Sequence, residues 1–390
     1  MIKRELEEYI CSFVGKMPVI AVTGPRQSGK TTVCRALFPN FVYVTLEDID
    51  TRKRAKEDPR TFLHQGDRVG GIIIDEIQQA GELLSYLQTI VDEPSCKTTY
   101  IITGSQNLLL HQAISQSLAG RVRLITLLPL SLQELSATSQ MPQSVDQALF
   151  YGGYPRIYND HLNPATWYSD YLATYVERDV RQLQHIIHLD AFQHFIALCA
   201  GRIGQLVNMT SLANDCGVSV PTIDAWLLLL QASYIIFLLQ PYYKNFNRRL
   251  VKSPKLYFYD VGLACSLLKI QAMEQLYTFY ARGNLFENLV ITEFIKAYLN
   301  RGIRPGIYFW RDATGNEVDL IFERGPELCA AEIKTSSITN SGYFDGVKKI
   351  SSWSEGLIKD NFVIYGGVEN QQWSKGKFVS WQRVDELLTP

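Results

Sequence analysis

The sequence has no excess of charge of either sign, and its cysteines form no pair of the kind that binds zinc. It carries 38 basic and 39 acidic residues, for a formal net charge of −1. A protein that coats nucleic acid with a uniformly basic surface is therefore excluded, and nucleic-acid binding would need a local patch. The seven cysteines lie far apart without a C-x-x-C motif, which indicates a reducing, cytoplasmic environment.

A long uninterrupted apolar run is also missing. The most apolar stretch, residues 225–241, is broken by Gln231, Ser233 and Gln240. It predicts a buried helix followed by a buried strand rather than a membrane span. The opening MIKRELEEYI has no apolar core of the kind that signal peptides carry. We therefore expect no association with a membrane.

The chain has enough apolar residues for more than one hydrophobic core. It is 390 residues long with 46% hydrophobic residues, which predicts two or three domains. Short β-branched runs alternate with helical patterns over residues 18–130, which predicts an α/β domain with a parallel sheet. The expected strands are 19–23, 41–45, 71–75, 99–103 and 123–127. The predicted domains are 1–135 (nucleotide-binding), 136–200 (helical lid or linker), 201–275 (winged helix) and 276–390 (a second α/β domain, with strands at 307–311, 318–322, 329–333 and 362–365).

Residues 24–31, GPRQSGKT, follow the first predicted strand and open a helix. They fit the pattern G-x-x-x-x-G-K-[ST], in which glycines let the backbone curl so that its N–H groups face phosphate. Lys30 is expected to reach the β- and γ-phosphates, and the Thr31 hydroxyl to ligate Mg²⁺. The predicted nucleotide contacts are Gly24, Pro25, Arg26, Gln27, Ser28, Gly29, Lys30, Thr31 and Thr32.

Two carboxylates end the apolar strand IIIDE about 45 residues after this loop. We expect Asp75 to hold Mg²⁺ through water and Glu76 to polarise the attacking water. Ser105, after the next strand, is predicted to align that water or to sense the γ-phosphate, with a simple turn residue as the alternative. Arg121 is predicted to stabilise the transition state, in cis or from a neighbour, with a surface arginine or an interdomain salt bridge as the alternative.

These motifs together resemble a known family. TGPRQSGKTT, IIIDEIQQ, ITGSQNLLL, SLAGRV, LLPLSLQEL, YGGYPRIY and TYVERDVRQL are similar to segments of the AAA-type P-loop ATPases of bacteria and archaea that carry a C-terminal domain of unknown function. The resemblance covers essentially the whole chain. It implies ATP binding with expected hydrolysis, a winged-helix segment and a nuclease-like C-terminus, and it supplies no settled biological role.

The spacing in residues 210–230 predicts a helix-turn-helix, with a first helix that ends at Gly217 and Pro221 in the first turn of the second. Residues 234–239 and 255–259 are predicted to pair as a wing. A strip without acidic residues connects them, and it is predicted to contact a DNA backbone through Lys244, Arg248, Arg249, Lys252 and Lys255. The alternative is a lid that packs on the ATPase and leaves a solvated basic loop.

Carboxylates and a lysine recur in the last quarter of the chain. Glu287 lies on a predicted helix, Asp319 on a strand, and Glu332 and Lys334 on the next strand, two residues apart and so on one face. The order resembles the restriction-endonuclease-like fold, which implies a second Mg²⁺ site at Asp319 and Glu332. The alternative is an inherited fold that binds DNA or a protein without cutting.

The sequence thus predicts a cytoplasmic protein that binds ATP and Mg²⁺ and hydrolyses ATP in connection with DNA binding or processing. The alternatives are a slow nucleotide-switched regulatory or defence protein, or a scaffold, whose nuclease-like domain does not cleave. ATP is the expected ligand, and DNA and a second copy of the chain are candidate partners.

Overall fold

The structure is a computed structural model that describes residues 2–105, 114, 117–176, 189–242 and 251–388. The chain divides into two units. The first comprises Met1–Leu130, Ala232–Tyr234 and Leu299–Ile303, and the second comprises Ser131–Gln231, Ile235–Tyr298 and Arg304–Pro390. No helix within the described ranges is both long and apolar enough to cross a membrane. The domain boundaries at 135, 200 and 275 stay predictions.

Five parallel strands form the sheet of the first unit, and this confirms the predicted parallel sheet. They are β1 (Val19–Thr23), β2 (Val42–Thr45), β3 (Gly71–Asp75), β4 (Thr99–Gly104) and β5 (Val122–Thr126), in the order β2-β3-β4-β1-β5. β1 lies between β4 and β5, with Val19 beside both Tyr100 and Val122. Because the strands are parallel, the carboxyl ends of β1, β3 and β4 meet at one edge of the sheet.

Apolar side chains cover both faces of this sheet. Val19 and Ala21 of β1 belong to one buried cluster, whereas Ile20 and Val22 belong to another. Such burial on both faces explains why β1 and β3 are continuous apolar runs. The helices of this unit are Leu6–Cys11, Lys30–Leu37, Ile49–Glu57, Pro59–Leu63 and Leu83–Val91, with 3₁₀ turns at His64–Gly66 and Ile77–Ala80.

The second unit begins with a helical region that contains the predicted pair of short helices. The side chain of Asn208 caps the first of them by accepting from the N–H of Ser211 at 3.0 Å, and Gly217 ends it at φ 66°. The helices of this region are Leu132–Ser136, Val145–Tyr151, Pro155–Asn159, Pro164–Tyr171, Leu189–Gly201, Met209–Cys216, Val220–Ala232 and Val261–Leu267, with a π-helical turn at Leu172–Val176 and a 3₁₀ helix at Met273–Thr278. Strands β6 (Ile236–Leu239) and β7 (Lys255–Phe258) pair in the antiparallel sense, as predicted.

A mixed sheet of six strands makes up the rest of the second unit. Its strands are β8 (Ile307–Arg311), β9 (Glu317–Arg324), β10 (Glu327–Lys334), β11 (Ile358–Tyr365), β12 (Gln371–Trp373) and β13 (Gly376–Ser380), in the order β12-β13-β11-β10-β9-β8. β8, β9 and β10 are antiparallel neighbours, whereas β10, β11 and β13 run parallel. Its helices are Arg282–Asn300 and Asp345–Trp353, with 3₁₀ segments at Ser341–Phe344 and Trp381–Leu388.

The prediction included β8 to β11 but not the hairpin of β12 and β13. β12 has only three residues, two of them glutamine, and β13 begins at Gly376. Glycine and short polar runs carry little strand signal. β13 joins the sheet by pairing with β11, and this contact between distant segments leaves no local signal in the sequence.

Candidate functional site

The phosphate loop leaves β1 and curls into the helix Lys30–Leu37. Gly24 has φ 143°, and a Cβ atom there would overlap the carbonyl oxygen of Leu127. Only glycine therefore fits this position. Gly29, at φ 95°, is the N-cap of the helix, and Gln27 also has a left-handed backbone at φ 60°. This curl leaves the loop amides at a helix N-terminus, the arrangement that binds anions.

Lys30 lies inside the loop. The residue is 5% exposed, and its ammonium donates to the carbonyl oxygens of Gly24 at 3.0 Å and Pro25 at 2.8 Å. Burial lowers the pKa of Lys30 to about 8, although the carboxylates of Glu76 and Asp75 act in the opposite direction. A polyphosphate in the loop would supply the negative charge that a buried ammonium requires.

Asp75, the last residue of β3, accepts hydrogen bonds from three hydroxyl groups. Thr31 Oγ1 donates to it at 2.8 Å and the Tyr43 hydroxyl at 3.2 Å, and Thr103 of β4 also donates. Burial and the charge of Asp75 raise the pKa of Tyr43 to about 12, which keeps this phenol a donor. The structure thus brings together the two residues predicted to hold Mg²⁺, Thr31 and Asp75.

Glu76 follows β3 in a left-handed backbone conformation, with φ 55°. A bulky residue in this region is strained by about 1–2 kcal/mol, and such strain is concentrated at functional sites. Ser105 Oγ donates to its carboxylate at 3.2 Å, and the side-chain amide of Gln78 donates to the same oxygen. Burial raises the pKa of Glu76, whereas Lys30 and Arg26 lower it. Ser105, which was predicted to act with Glu76, therefore orients the carboxylate that is predicted to polarise the water.

Arg121 makes a salt bridge within the first unit, and its role in the transition state stays a prediction. Its Nε and Nη2 atoms donate to the two carboxylate oxygens of Asp92 at 2.6 and 2.7 Å. Its Nη1 atom donates to the carbonyl oxygen of Ala119. A bidentate pair of this kind fixes the guanidinium, so the described contacts place Arg121 in a surface salt bridge.

The C-terminal carboxylates and lysine converge, as their spacing predicted. Lys334 Nζ lies 2.8 Å from Glu332 Oε2 and 3.7 Å from Asp319 Oδ2. The N–H of Ile333 donates to Asp319 Oδ2 at 2.8 Å. Gly346 permits this packing, because a Cβ atom there would overlap the Glu332 carboxylate.

Lys255 is the unexpected member of this cluster. The sequence predicts that it contacts DNA, but its side chain is 3% exposed and lies 2.9 Å from Glu287 Oε1 and 2.5 Å from Glu317 Oε1. Burial opposes its charge, yet Glu287 and Glu317 raise the pKa of Lys255 above its usual value. The Tyr257 hydroxyl also donates to Glu287, at 2.5 Å. The DNA role is therefore wrong for Lys255, because β7 directs its ammonium into the carboxylates.

Lys334 lies beside the two carboxylates at which a metal ion was expected, and Lys255 lies beside Glu287 and Glu317. Burial raises the pKa of Glu332, and Asp319 adds to this effect, while Lys334 opposes it. Within the part of the chain that the structure describes, no three His, Cys, Asp or Glu side chains are arranged to hold a metal ion. The metal role expected for Asp319 and Glu332 stays a prediction, and Lys334 and Lys255 supply positive charge beside the carboxylates.

Of the four other basic residues in the predicted DNA strip, the structure describes one. Lys244, Arg248 and Arg249 lie outside the described residues, and Lys252 is exposed. Their role in contacting a DNA backbone stays a prediction.

Sequence reasoning missed two residues that contact the phosphate loop or its base. Arg4 donates to the carbonyl oxygen of Ser28 at 2.8 Å, and the Tyr234 hydroxyl lies 2.9 Å from Thr23 Oγ1 at the end of β1. Both are far from the loop in sequence, so no local motif includes them. Tyr234 has an unusual left-handed backbone, with φ 56°, but the sequence alone does not indicate this conformation.

The comparisons with known proteins agree with this geometry. The model of a family described as "AAA domain" matches residues 16–136. Two domains of unknown function, DUF8612 and DUF4143, match residues 142–274 and 282–384. Uncharacterized proteins of Mycobacterium tuberculosis and Mycobacterium bovis are each 30% identical to this chain over 328 residues, which is 83% of this chain and 71% of theirs. This chain belongs to their family, the AAA-type P-loop ATPases with a C-terminal domain of unknown function.

Solved structures similar to this AAA-type ATPase include a Walker-type ATPase of Pyrococcus abyssi. That protein is 15% identical, with a TM-score of 0.46, and the alignment covers 68% of this chain and 96% of that one. The RuvB Holliday junction branch migration motor of Thermotoga maritima is 16% identical, with a TM-score of 0.33 and coverage of 60% and 89%.

The nucleotide site of this AAA-type ATPase has the donor set that Mg–ATP requires. The Ser28 hydroxyl is fully buried in the loop and has no hydrogen-bond partner among the described residues. A buried polar atom of this kind is costly unless a ligand or water satisfies it. Thr31 and Asp75 supply the hydroxyl and carboxylate oxygens that Mg²⁺ prefers. These residues fit the nucleotide and its metal ion.

Proposed function

We propose that the first unit binds Mg–ATP and hydrolyses it to ADP and phosphate. One observation carries this proposal: Lys30, Thr31, Asp75 and Glu76 meet at the carboxyl edge of the sheet, with Thr31 bonded to Asp75. A phosphate loop alone would support nucleotide binding. The second carboxylate, Glu76, extends the proposal to hydrolysis.

In this proposal each side chain has a separate task. The loop amides and Lys30 bind the phosphates, and Mg²⁺, when bound, neutralises charge on the β- and γ-oxygens. Thr31 and Asp75 would hold the ion. Glu76 accepts a hydrogen bond from the attacking water and polarises it, while Ser105 keeps the Glu76 carboxylate in place.

The test is phosphate release at saturating Mg–ATP by wild type and by Glu76→Gln. The amide retains the shape of the side chain but cannot accept a proton, so we expect turnover to fall roughly tenfold or more with unchanged ATP affinity. Glu82→Gln makes the same chemical change at an exposed position of the first unit and should leave turnover as in wild type. Equal turnover in all three proteins would remove Glu76 from the mechanism.

We propose further that ATP turnover is coupled to DNA binding through the basic strip. The composition of the strip supports this: Lys244, Arg248, Arg249 and Lys252 lie among aromatic residues in a stretch without acids. Reversing Arg248 and Arg249 to Glu should weaken binding equally across DNA sequences and reduce its salt dependence. Unchanged binding to a labelled duplex would show that this strip is not the DNA surface.

A second candidate function is favoured by Lys255. Because its ammonium is paired with both Glu287 and Glu317, the C-terminal domain is better suited to binding than to metal-dependent cleavage. The chain would then be a slow nucleotide-switched protein. Plasmid nicking by wild type, Asp319→Ala and Lys334→Ala in Mg²⁺ or Mn²⁺ separates the two candidates. Nicking by wild type that both variants lose would refute this second candidate, and absence of nicking in all three would support it.

A further inference from the structure

Arg4 lies before the first strand, outside the residues that match the AAA model, yet this residue is only 3% exposed. Its Nη1 atom donates to the carbonyl oxygen of Ser28 at 2.8 Å, and its Nη2 atom donates to that of Leu128 at 2.7 Å. One guanidinium therefore connects the phosphate loop to the chain that follows β5. Arginine suits this role because its donors are fixed in one plane.

The bond to Ser28 determines how the next amide points. In a trans peptide the C=O and the following N–H lie in one plane and point in opposite directions, and the described chain contains no cis peptide. Because the Ser28 carbonyl points toward Arg4, the Gly29 N–H must point away from Arg4. A flip of this peptide would exchange the two groups and present a carbonyl oxygen where the amide had been.

The neighbouring backbone shows which orientation an anion needs. Gly29 has a left-handed conformation and caps the helix Lys30–Leu37, so successive amides around it line the concave side of the loop. An ideal Cβ atom on Gly29 would lie 3.8 Å from Arg4 Nη1, which places the guanidinium directly beside this residue. A carbonyl oxygen turned into the loop would repel phosphate, whereas the amide attracts it.

We propose that Arg4 is a positioning residue for the phosphate loop: it holds the Ser28–Gly29 peptide so that the Gly29 amide faces the phosphates of the nucleotide. This inference rests on the proposed ATP site. Arg4 acts through the backbone and from behind the loop. It differs in this respect from Lys30, whose ammonium lies inside the loop.

The experiment measures binding of ATP and of inorganic tripolyphosphate, each with Mg²⁺, to wild type, Arg4→Ala, Arg4→Lys and Lys3→Ala. Lys3 is the matched control because it is adjacent and its side chain is 74% exposed. We expect Arg4→Ala to bind both ligands roughly tenfold more weakly, by the same factor, because only the phosphate contacts change. Arg4→Lys should lose part of this affinity, because one ammonium cannot reproduce the planar fork.

Thermal unfolding of each protein without ligand separates positioning from folding. Arg4→Ala protein that is folded at the assay temperature and binds both ligands as tightly as wild type would overturn the proposal. If Arg4→Ala does not fold, Arg4→Lys decides: weaker tripolyphosphate binding by folded protein supports the proposal, and wild-type binding overturns it. Failure of the proposed function is a different result, because wild type itself would then bind neither ligand.

Discussion

The two units of this chain each contain carboxylates next to a lysine, but they balance the charge in opposite ways. At the nucleotide site the carboxylates of Asp75 and Glu76 accept from hydroxyl groups, and Lys30 donates to backbone carbonyls. In the C-terminal cluster the lysines donate directly to the carboxylates, at distances of 2.5 to 2.9 Å for Lys255 and Lys334.

The difference shows how similar residue types can prepare a site for a ligand or complete a structure. Hydroxyl donors orient a carboxylate without cancelling its charge, so the carboxylates of the nucleotide site still favour a cation. In the same way, the buried ammonium of Lys30 still favours an anion. Direct ion pairs cancel part of the carboxylate charge within the cluster itself. A buried pair of this kind resists the loss of either partner, because the remaining charge stays buried.

The largest effect is expected from Lys255→Met, which tests whether the ion pairs of the C-terminal cluster stabilise the fold. The substitution leaves Glu287 and Glu317 without their common cation, and breaking a buried pair costs about 3–5 kcal/mol. Urea unfolding followed by tryptophan fluorescence measures this loss, because all six tryptophans of the chain lie in the second unit. Lys252→Met is the control, since Lys252 is exposed. An unchanged urea midpoint in Lys255→Met would mean that the ion pairs contribute nothing.

Lys30→Ala tests the other side of the comparison. The substitution removes an ammonium that we expect to reach the phosphates, and ATP affinity should fall by roughly 100-fold, as for a lost charge-assisted contact. Calorimetric titration with Mg–ATP measures this fall, with Lys16→Ala as a surface control. Wild-type affinity in Lys30→Ala would place the phosphates elsewhere.

Ser105→Ala sharpens the role given to hydroxyl donors. Glu76 would keep its hydrogen bond from Gln78 and lose the one from Ser105. We expect turnover to fall roughly threefold to tenfold, because a hydrogen bond to a charged group is worth about 1.5–3 kcal/mol and one donor remains. ATP affinity should not change. The exposed Ser85→Ala is the control, and turnover equal to it would leave Ser105 as a turn residue.

The smallest effect is expected from Arg121→Ala. Asp92 already neutralises this guanidinium, as the carboxylates do for Lys255, so phosphate release by dilute protein should stay at the wild-type rate. Measuring release over a range of protein concentrations extends the test to a second copy of the chain. A large loss of activity that appears only at high concentration would instead support an arginine acting from a neighbour.

The sequence predicted the first sheet closely, and the reason is physical. A strand buried on both faces is a continuous apolar run, and β1 and β3 have the predicted bounds. The phosphate loop could be predicted because its backbone conformation needs glycine at fixed positions, as Gly24 shows. Both signals are local, so they appear in a short window of sequence.

The rest could not be predicted, because it depends on contacts between distant segments. The position of Lys255 in the sequence indicates its charge, but its burial depends on the helix that carries Glu287, which lies 32 residues away. The contact between Arg4 and Ser28 spans 24 residues and ends on a backbone carbonyl, which no side-chain motif records. The hairpin of β12 and β13 likewise depends on pairing with β11.

The contact between Arg4 and Leu128 also limits when the protein can first bind its nucleotide during synthesis. The two residues are separated by 124 positions, and β1 lies between β4 and β5 in the sheet. The phosphate loop is made well before β5 and Leu128, and such non-local contacts form slowly. A nascent chain in which residue 128 has not yet left the ribosome therefore contains the phosphate-loop sequence but lacks the contact that supports the loop. Nucleotide added during refolding should stabilise only chains in which the whole first sheet has closed.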